Sequence, residues 1–435
     1  MKQHCKHPIV DMIESKLKNN IRVFTDPVEG TSAVTILVMV KLGSRYETPQ
    51  LSGASHFIEH MMFKGTKHLP TPMDVARSLD AIGADYNAYT SKEYTGYYIK
   101  CDAAHAKFAV DTLYDMTFES VYNEEEMNRE RGVIIEEINM YEDTPVRHIE
   151  DLLEEEMFRG NSLGWEIAGS AETMKTMARG EVMALRDRFY VPSRISIAVA
   201  GNVTSNVVAW LEQTFGHVQD HGEPLTFDAF GSFPSHETSP VRMQHKKTEQ
   251  AHLGLGFPGI AYTDERLATM KVMTTLLGGN MSSRLFMSVR EKGGLAYRIR
   301  SDHSEYEDTG IVAILAGLNG PKLREAVERI FIELEDLKAN GPTEEEMDRT
   351  KEYLRGQMLL AIEDSSVRAQ WYGQRGLFYK TVVSPEERIT AYRSVTREEV
   401  QSLAQDTFDK NRMVVSYIGA AEDEHAVRTT LSVRN

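Results

Sequence analysis

The segment SHFIEH, residues 55–60, places His56 and His60 four residues apart, with Glu59 between them. On a helix, side chains at positions i and i+4 project from the same face, so the two imidazoles could bind one divalent cation. Glu59 could then reach a water molecule at the open coordination position without binding the metal itself. A cation lowers the pKa of such a water, and a nearby carboxylate can accept its proton.

The order His-x-x-Glu-His is the inverted form of the zinc-peptidase helix motif. In a chain with 14 histidines it can also arise by chance, which leaves two structural histidines as the alternative interpretation. We predict a helix over residues 52–63, with Ser52 or Ser55 as its N-terminal cap and Gly65 as its terminator. A third metal ligand elsewhere in the chain would favour the metal site.

Residues 123–145, NEEEMNRERGVIIEEINMYEDTP, supply candidates for that ligand. Helical spacing predicts one mostly apolar stripe. Its members are Glu130, Val133, Ile134, Glu137, Met140 and Tyr141. A carboxylate on a buried face is costly unless it is paired or binds a metal, which favours Glu137 as the ligand. Glu130 lies two turns earlier on the same face and could support the site, although a salt bridge remains an alternative for both.

The chain also repeats itself. Residues 123–137 resemble residues 343–357 at an offset of 220, and residues 179–202 resemble residues 397–420 at an offset of 218. Two collinear matches at nearly one offset indicate duplication of a whole domain. We predict an α+β fold with two homologous domains, each a largely antiparallel sheet packed with helices. The predicted bounds are 1–219 for the N-terminal domain, 220–240 for a linker and 241–435 for the C-terminal domain.

The second copy lacks every candidate metal-site residue. Its counterparts of His56, Glu59, His60, Glu130 and Glu137 are Val272, Thr275, Leu276, Thr350 and Gln357. Scaffold residues would be expected to survive in part, whereas a functional site kept in one copy disappears from the other as a group. The pattern therefore favours a functional site in the first half.

Composition excludes several other classes of protein. The net charge of −16 argues against a protein that binds nucleic acid through a basic face. Two cysteines, Cys5 and Cys101, give no disulfide framework and fit a reducing compartment. The N-terminus resembles no signal peptide, and no apolar run is long enough for a membrane span. We therefore expect a cytoplasmic protein that binds neither membranes nor nucleic acid.

Four motifs resemble one known family, that of the inverted-motif zinc peptidases related to pitrilysin and the mitochondrial processing peptidase. They are SGASHFIEHMMFKGT at 52–66, NAYTSKEYTGYY at 87–98, LLGGNMSSRLF at 276–286 and REKGGLAY at 290–297. The resemblance extends from about residue 20 to about residue 420. It implies the processing-peptidase-like fold and a zinc-dependent endopeptidase that cleaves short or unfolded peptides.

The resemblance also implies roles for particular residues. One Zn²⁺ per chain would be bound by His56, His60 and Glu137, with Glu59 as the general base and Glu130 as a further catalytic-site residue. An edge strand carrying Asn87, Ala88 and Tyr89 would pair with extended substrate; the alternative is an ordinary strand end. Arg290 and Tyr297 would reach a substrate carbonyl from the non-catalytic domain, although a helix-end salt bridge and a core aromatic are simpler readings of these two.

The family surrounds a closed chamber with four such domains, and this chain has two. We therefore predict a homodimer in which each site is completed by the partner's non-catalytic domain. Two alternatives stay open: an inactive structural relative of the same fold, and a metal-dependent protein that binds peptides without cutting them.

Overall fold

The structure, a computed structural model, describes residues 12–222, 224–420 and 424–431 and forms two compact units. The first unit comprises the described residues up to Ile138, together with Glu166–Phe227 and Leu360–Ser384. The second comprises Asn139–Trp165, Asp228–Leu359 and the described residues from Pro385 onward. Cys5 lies outside the described residues, and Cys101 is a buried free thiol.

The first unit contains a six-stranded sheet with the order β1-β2-β6-β3-β5-β4. Its strands are β1 Ile13–Lys16, β2 Arg22–Pro27, β3 Ala33–Val40, β4 Asp85–Thr90, β5 Thr95–Asp102 and β6 Ile195–Gly201. Only β2 and β6 run parallel, and the other neighbours are antiparallel. The strand β4 is therefore an edge strand, paired with β5 alone.

The second unit contains a five-stranded sheet with the order β7-β11-β8-β10-β9. Its strands are β7 Val241–His245, β8 Ala251–Pro258, β9 Ala296–Glu305, β10 Gly310–Leu318 and β11 Val414–Gly419. Here too one pair, β7 and β11, is parallel and the others are antiparallel.

Fifteen helices of the described residues flank these sheets. In the N-terminal half they are α1 Ala54–Met61, α2 Pro72–Asp80, α3 Ala106–Phe118, α4 Glu124–Glu142, α5 Pro145–Met157, α6 Ala171–Thr176, α7 Arg179–Phe189 and α8 Val207–Thr214. In the C-terminal half they are α9 Leu267–Thr274, α10 Leu323–Asn340, α11 Glu344–Ala361, α12 Ser365–Phe378, α13 Pro385–Ser394, α14 Arg397–Thr407 and α15 Glu424–Leu431. Two π-helical segments, Thr275–Gly279 and Phe286–Lys292, follow α9. Within the described residues, none of the helices combines the length and the apolar character needed to cross a bilayer.

The two sheets have the same topology, as a duplication requires. Omitting β1, the order β2-β6-β3-β5-β4 of the first sheet corresponds strand by strand to the order of the second. The registers agree as well: Thr35 faces Ala200 in β6, and His252 faces Ile418 in β11. The α+β class and the two homologous, largely antiparallel sheets predicted from the sequence are confirmed.

Each half of the chain contributes one helix to the compact unit formed mainly by the other half. The helix α5, from the N-terminal half, packs on β8 and β11 of the second sheet through an apolar face that includes Leu153 and Met157. The helix α12, from the C-terminal half, packs on β3 and β6 of the first sheet through Ala369 and Tyr372. The compact units are thus discontinuous in sequence, a feature absent from the predicted bounds.

Candidate metal centre

The helix α1 is fixed by a buried apolar face and by a carboxylate at its start. Phe57, Ile58 and Met61 are fully buried, and the two histidines project from an adjacent face of the helix. The carboxylate of Glu47 accepts hydrogen bonds from the backbone N–H groups of Gly53, at 2.8 Å, and Ser55, at 2.6 Å. These two bonds satisfy donors of the first turn that have no partner within the helix.

The predicted N-terminal cap is therefore wrong. The capping position is occupied by Gly53, which has no side chain to donate or accept, and its φ of 95° lies in the left-handed region. A Cβ atom on this residue would lie 2.4 Å from the carbonyl oxygen of Ala168, so the close approach requires glycine. The helix ends at Met61, before Gly65, and lies within the predicted range of 52–63.

The structure brings His56, His60 and Glu137 together. Their candidate donor atoms, one per residue, all lie within 4.8 Å of one another. The two Nε2 atoms of the histidines are 3.2 Å apart. Oε2 of Glu137 lies 3.4 Å from Nε2 of His60 and 3.8 Å from Nε2 of His56.

These separations fit a tetrahedral zinc ion. Ligand bonds of about 2.0–2.1 Å at tetrahedral angles place neighbouring donor atoms about 3.3 Å apart. The three observed distances bracket this value, and both histidines present the nitrogen that is far from the backbone. Two imidazoles and one carboxylate are also the donor set of known catalytic zinc sites, which leave a fourth position for water.

Glu130 holds the second ring nitrogen of His60. Its Oε1 lies 2.8 Å from Nδ1 of His60, and its Oε2 lies 2.6 Å from Nζ of Lys64. Burial acts to raise the pKa of Glu130, but hydrogen bonds from His60 and Lys64 outweigh burial and hold the pKa below its usual value. An ionised carboxylate at Nδ1 keeps the proton there and leaves Nε2 free for a metal.

The two histidines differ in their electrostatic surroundings. Burial, reinforced by the neighbouring His60, lowers the pKa of His56 to about 4. Burial also acts to lower the pKa of His60, but its hydrogen bonds to Glu130 and Glu137 outweigh burial and raise that pKa to about 9. The two candidate ligands therefore differ in how strongly each holds a proton.

Glu59 lies on α1 beside the histidines but outside the metal-binding set. Its Oε2 accepts a hydrogen bond of 2.5 Å from the hydroxyl of Thr90, the last residue of β4. Burial raises the pKa of Glu59, while the Thr90 hydroxyl acts in the opposite direction. A partly buried carboxyl group with a raised pKa and one fixed hydrogen bond suits a general base, because the raised pKa makes it a better proton acceptor.

The predicted stripe on α4 is wrong in its membership. The buried residues of α4 are Met127, Glu130, Ile134 and Ile138, whereas Val133 and Met140 are about half exposed. Glu137 borders this face and its side chain is 23% exposed. Glu130, at 5% exposed, is therefore the carboxylate in the middle of the buried face.

The three predicted substrate-binding residues lie on the edge strand β4. The side chain of Asn87 is exposed, and its Oδ1 accepts a hydrogen bond from the backbone N–H of Ala88 at 2.9 Å. Ala88 points into the core, whereas Tyr89 lies on the opposite face and its hydroxyl approaches Met39. The structure places these residues at the free edge of the sheet and next to Thr90.

Arg290 and Tyr297 belong to the second unit. Arg290 is exposed in the π-helical segment Phe286–Lys292, with its guanidinium 4.6 Å from the ring centroid of Phe286. Tyr297 lies near the start of β9 and is 68% exposed. Neither side chain occupies the core, so the core-aromatic alternative for Tyr297 is excluded.

Three residues that surround the site were not identified from the sequence. They are Glu47 at the start of α1, Lys64 beside Glu130, and Thr90 beside Glu59. Lys64 could have been found, because it lies four residues after His60. Glu47 and Thr90 approach through loop and strand geometry that has no periodic signal in the sequence.

Comparison with known proteins identifies the class. Residues 22–171 match the family described as insulinase (peptidase family M16), and residues 176–354 match the peptidase M16 inactive domain. A protein of Bacillus subtilis named uncharacterized zinc protease YmxG is 37% identical over 394 residues, covering 91% of this chain and 95% of that protein. A Streptomyces coelicolor protein, also named an uncharacterized zinc protease, is 34% identical over 427 residues, covering 97% and 93%.

This chain belongs to the insulinase, or M16, family of peptidases, and is a short two-domain member of it. The family resemblance read from the motifs is confirmed. Solved structures agree on the fold. A protease from Helicobacter pylori superposes with a TM-score of 0.86 at 21% identity, covering 94% of this chain and 99% of that one. A structure described as a peptidase M16 inactive domain from Pseudomonas fluorescens gives a TM-score of 0.85 at 16% identity, covering 95% of this chain and 99% of that one.

Proposed function

We propose that this protein is a zinc-dependent endopeptidase that hydrolyses short or unfolded peptides. The observation that carries the proposal is the convergence of His56, His60 and Glu137 at distances that fit one tetrahedral ion. The names of the related zinc proteases support the choice of metal and of reaction class.

The chemistry divides between the ion and the side chains. Zinc, when bound, would lower the pKa of a water molecule and polarise the peptide carbonyl. Glu59 takes the proton of the attacking water at Oε2 or Oε1 and later delivers it to the leaving amine. The Thr90 hydroxyl holds that carboxylate in place, and Glu130 keeps the ring of His60 in the tautomer that exposes Nε2.

The test is a Glu59→Gln variant, examined beside the wild type with an unstructured peptide. Both proteins should bind one zinc ion per chain, because Glu59 is not a ligand, and only the wild type should cleave. A fall of about 10²-fold or more is expected for loss of a general base. Cleavage by the zinc-loaded variant at the wild-type rate would exclude Glu59 from this role.

The competing function is that of an inactive structural or peptide-binding relative. A binding protein has no chemical need for a carboxylate beside the open metal position, so the presence of Glu59 favours hydrolysis. If the zinc-loaded wild type retains peptides but cleaves none of a broad library, the binding function is correct. Peptide cleavage that chelation abolishes and zinc restores would exclude it.

We further propose that the active form is a cytoplasmic homodimer in which Arg290 and Tyr297 of the partner subunit approach the substrate carbonyl. Both side chains are exposed, as such a role requires. Mixing Glu59→Gln with Tyr297→Phe would then give mixed dimers with one intact site each. Random re-association should restore about a quarter of wild-type activity, since half the dimers are mixed. No recovery from well-exchanged subunits, or full activity in a sedimenting monomer, would refute completion across a dimer.

A peptide substrate would align along the free edge of β4. An extended chain there could form main-chain hydrogen bonds beyond Asn87, Ala88 and Tyr89, close to the hydroxyl that holds Glu59. Because Ala88 already packs in the core, its contribution would come from the backbone. Substitution of Ala88 by proline should therefore weaken peptide binding more than substitution of the exposed Asn87 by alanine.

A further inference from the structure

A pocket in the second unit includes none of the metal-binding residues in its lining, and it has no role in the proposed hydrolysis. It is a small cleft of about 40 Å³ that opens to solvent, between α5 and one face of the sheet. The lining residues are Val146, Ile149, Gln250, His252, Arg298, Arg300, Leu315, Ala316 and Gly317. All of them belong to this one unit.

Gly317 in β10 forms the floor of the pocket. It faces His252 of β8 on one side and Arg298 of β9 on the other, so two polar side chains flank a residue without one. A Cβ atom on Gly317 would lie 3.4 Å from Oε1 of Gln250 and 3.9 Å from Nδ1 of His252, which is ordinary van der Waals contact. A methyl group at this position would therefore meet no steric clash, so the floor of the pocket is open.

The polar groups of the pocket have capacity to bind a ligand. Among the described residues, the ring of His252 has no hydrogen-bond partner although the residue is only 7% exposed. Within the same part of the chain, no carboxylate pairs with the Arg298 guanidinium. Arg298 is exposed, so a ligand that binds these two groups would replace water there.

The charges around the pocket favour a ligand with a single negative charge. Arg300 is neutralised by Glu150 of α5, with Nη2 and Oε2 2.6 Å apart. Burial lowers the pKa of His252, so this ring is neutral near pH 7. Arg298 thus supplies one net positive charge, and the N-terminal turns of α5 add the positive end of a helix dipole. Val146, Ile149 and Leu315 provide apolar walls.

At the equivalent position of the first sheet, a side chain fills the space. By strand register, Thr35 and Lys100 correspond to His252 and Gly317. There the side chain of Lys100 fills the position and pairs with Asp364 at 3.0 Å, while the hydroxyls of Thr35 and Ser365 lie 2.8 Å apart. In the second unit glycine replaces the lysine, and the position stays open.

We propose that this pocket is a binding site for a carboxylate that carries a small aliphatic group. The carboxylate would bind Arg298, Gln250 and His252, and the aliphatic group would pack against Val146, Ile149 and Leu315. Two sources share this chemistry: a free short carboxylic acid, and the C-terminal residue of a peptide. The site is independent of the proposed hydrolysis, since binding here requires none of the metal-binding residues.

The test measures binding to the full-length protein by methyl NMR, following the methyl groups of Val146, Ile149 and Leu315. N-acetylleucine is the probe, and N-acetylleucinamide, which lacks the charge, is its matched control. The acid should shift these three signals saturably, and the amide should bind at least about tenfold more weakly. Binding is read from these methyl signals and not from hydrolysis, so failure of the proposed peptidase activity remains a separate result.

Two variants connect the signal to the pocket. Arg298→Gln should weaken the binding of N-acetylleucine by about tenfold or more, and Gly317→Val should abolish this binding by filling the space. Arg324→Gln, the same change at an exposed arginine of α10, should have no effect. Thermal melting of each variant checks that the fold is intact.

A pentapeptide that ends in leucine, with a free or an amidated C-terminus, distinguishes the two sources. Binding of the free-carboxyl peptide as tightly as N-acetylleucine assigns the site to chain termini; its exclusion assigns the site to small free acids. Absence of saturable shifts, equal binding of acid and amide, or an Arg298→Gln variant that binds as the wild type does would each overturn the proposal.

Discussion

Replacing Glu130 by glutamine should weaken zinc binding although Glu130 touches no metal. The change keeps the shape of the side chain but removes the charge and one of its two acceptor oxygens. Glu130 now accepts from Nδ1 of His60 at 2.8 Å and from Nζ of Lys64 at 2.6 Å. A glutamine amide can accept from only one of the two, so the orientation of His60 loses part of its support.

The expected loss can be estimated from the contacts. Removing an outer partner of a metal-binding histidine reduces affinity by about 10- to 100-fold, which corresponds to about 1.4–2.7 kcal/mol. The metal-free fold should lose about 1–3 kcal/mol for the unsatisfied partner. The lower end is expected, because the side chain of Lys64 is 25% exposed and can turn to water.

Zinc affinity would be measured by competition with a chromophoric chelator, and the stability of the metal-free protein by denaturant unfolding. Glu136→Gln is the matched control: it makes the same change on the same helix at an exposed position. If Glu130→Gln binds zinc as tightly as the wild type does, Glu130 does not support His60. If both variants lose affinity equally, the cause is the net charge of α4 and the specific contact is irrelevant.

Three further predictions concern two groups that position the site and one buried ion pair of the first unit. Glu47→Ala should reduce the free energy of unfolding by about 2 kcal/mol, because it leaves two N–H groups at the start of α1 without their acceptor. Thr90→Val should lower kcat by about tenfold with unchanged zinc content, since Glu59 loses its hydroxyl donor. Arg45→Met should destabilise by about 3–5 kcal/mol by removing the buried cation beside Glu93, measured by denaturant unfolding.

Each of these has an internal control. Thr90→Ser keeps the hydroxyl and should keep the activity, so equal loss in both variants would indicate a packing effect. Converting both Arg45 and Glu93 to methionine should recover much of the stability lost by the single change, because neither member of this pair remains as a buried charge without the other. An unchanged unfolding midpoint for Glu47→Ala would show that water replaces the carboxylate at the helix start.

The features that could be predicted from the sequence are those that depend on regular residue spacing. The face shared by His56 and His60 follows from a separation of four residues, and the duplicated sheets follow from two matches at nearly one offset. The remaining features depend on tertiary contacts, which leave no pattern in the sequence. The exchange of α5 and α12 between sheets has no periodic signal, and the hydroxyl beside Glu59 comes from a strand 31 residues away. On α4, the predicted stripe wrongly included Val133 and Met140, because exposed apolar residues cannot be told from core residues by spacing alone.

The two halves also explain why the metal-site residues disappeared together. The counterpart of Glu130 is Thr350, which is 3% exposed. A carboxylate at that buried position, without a histidine and a lysine to pair with, would destabilise the domain, so loss of the histidines favours loss of the glutamate. The counterparts of the two histidines, Val272 and Leu276, are likewise buried. Replacing a charged site with uncharged side chains costs little only when every member is replaced, which accounts for a set of candidate metal ligands that is complete in one half and absent from the other.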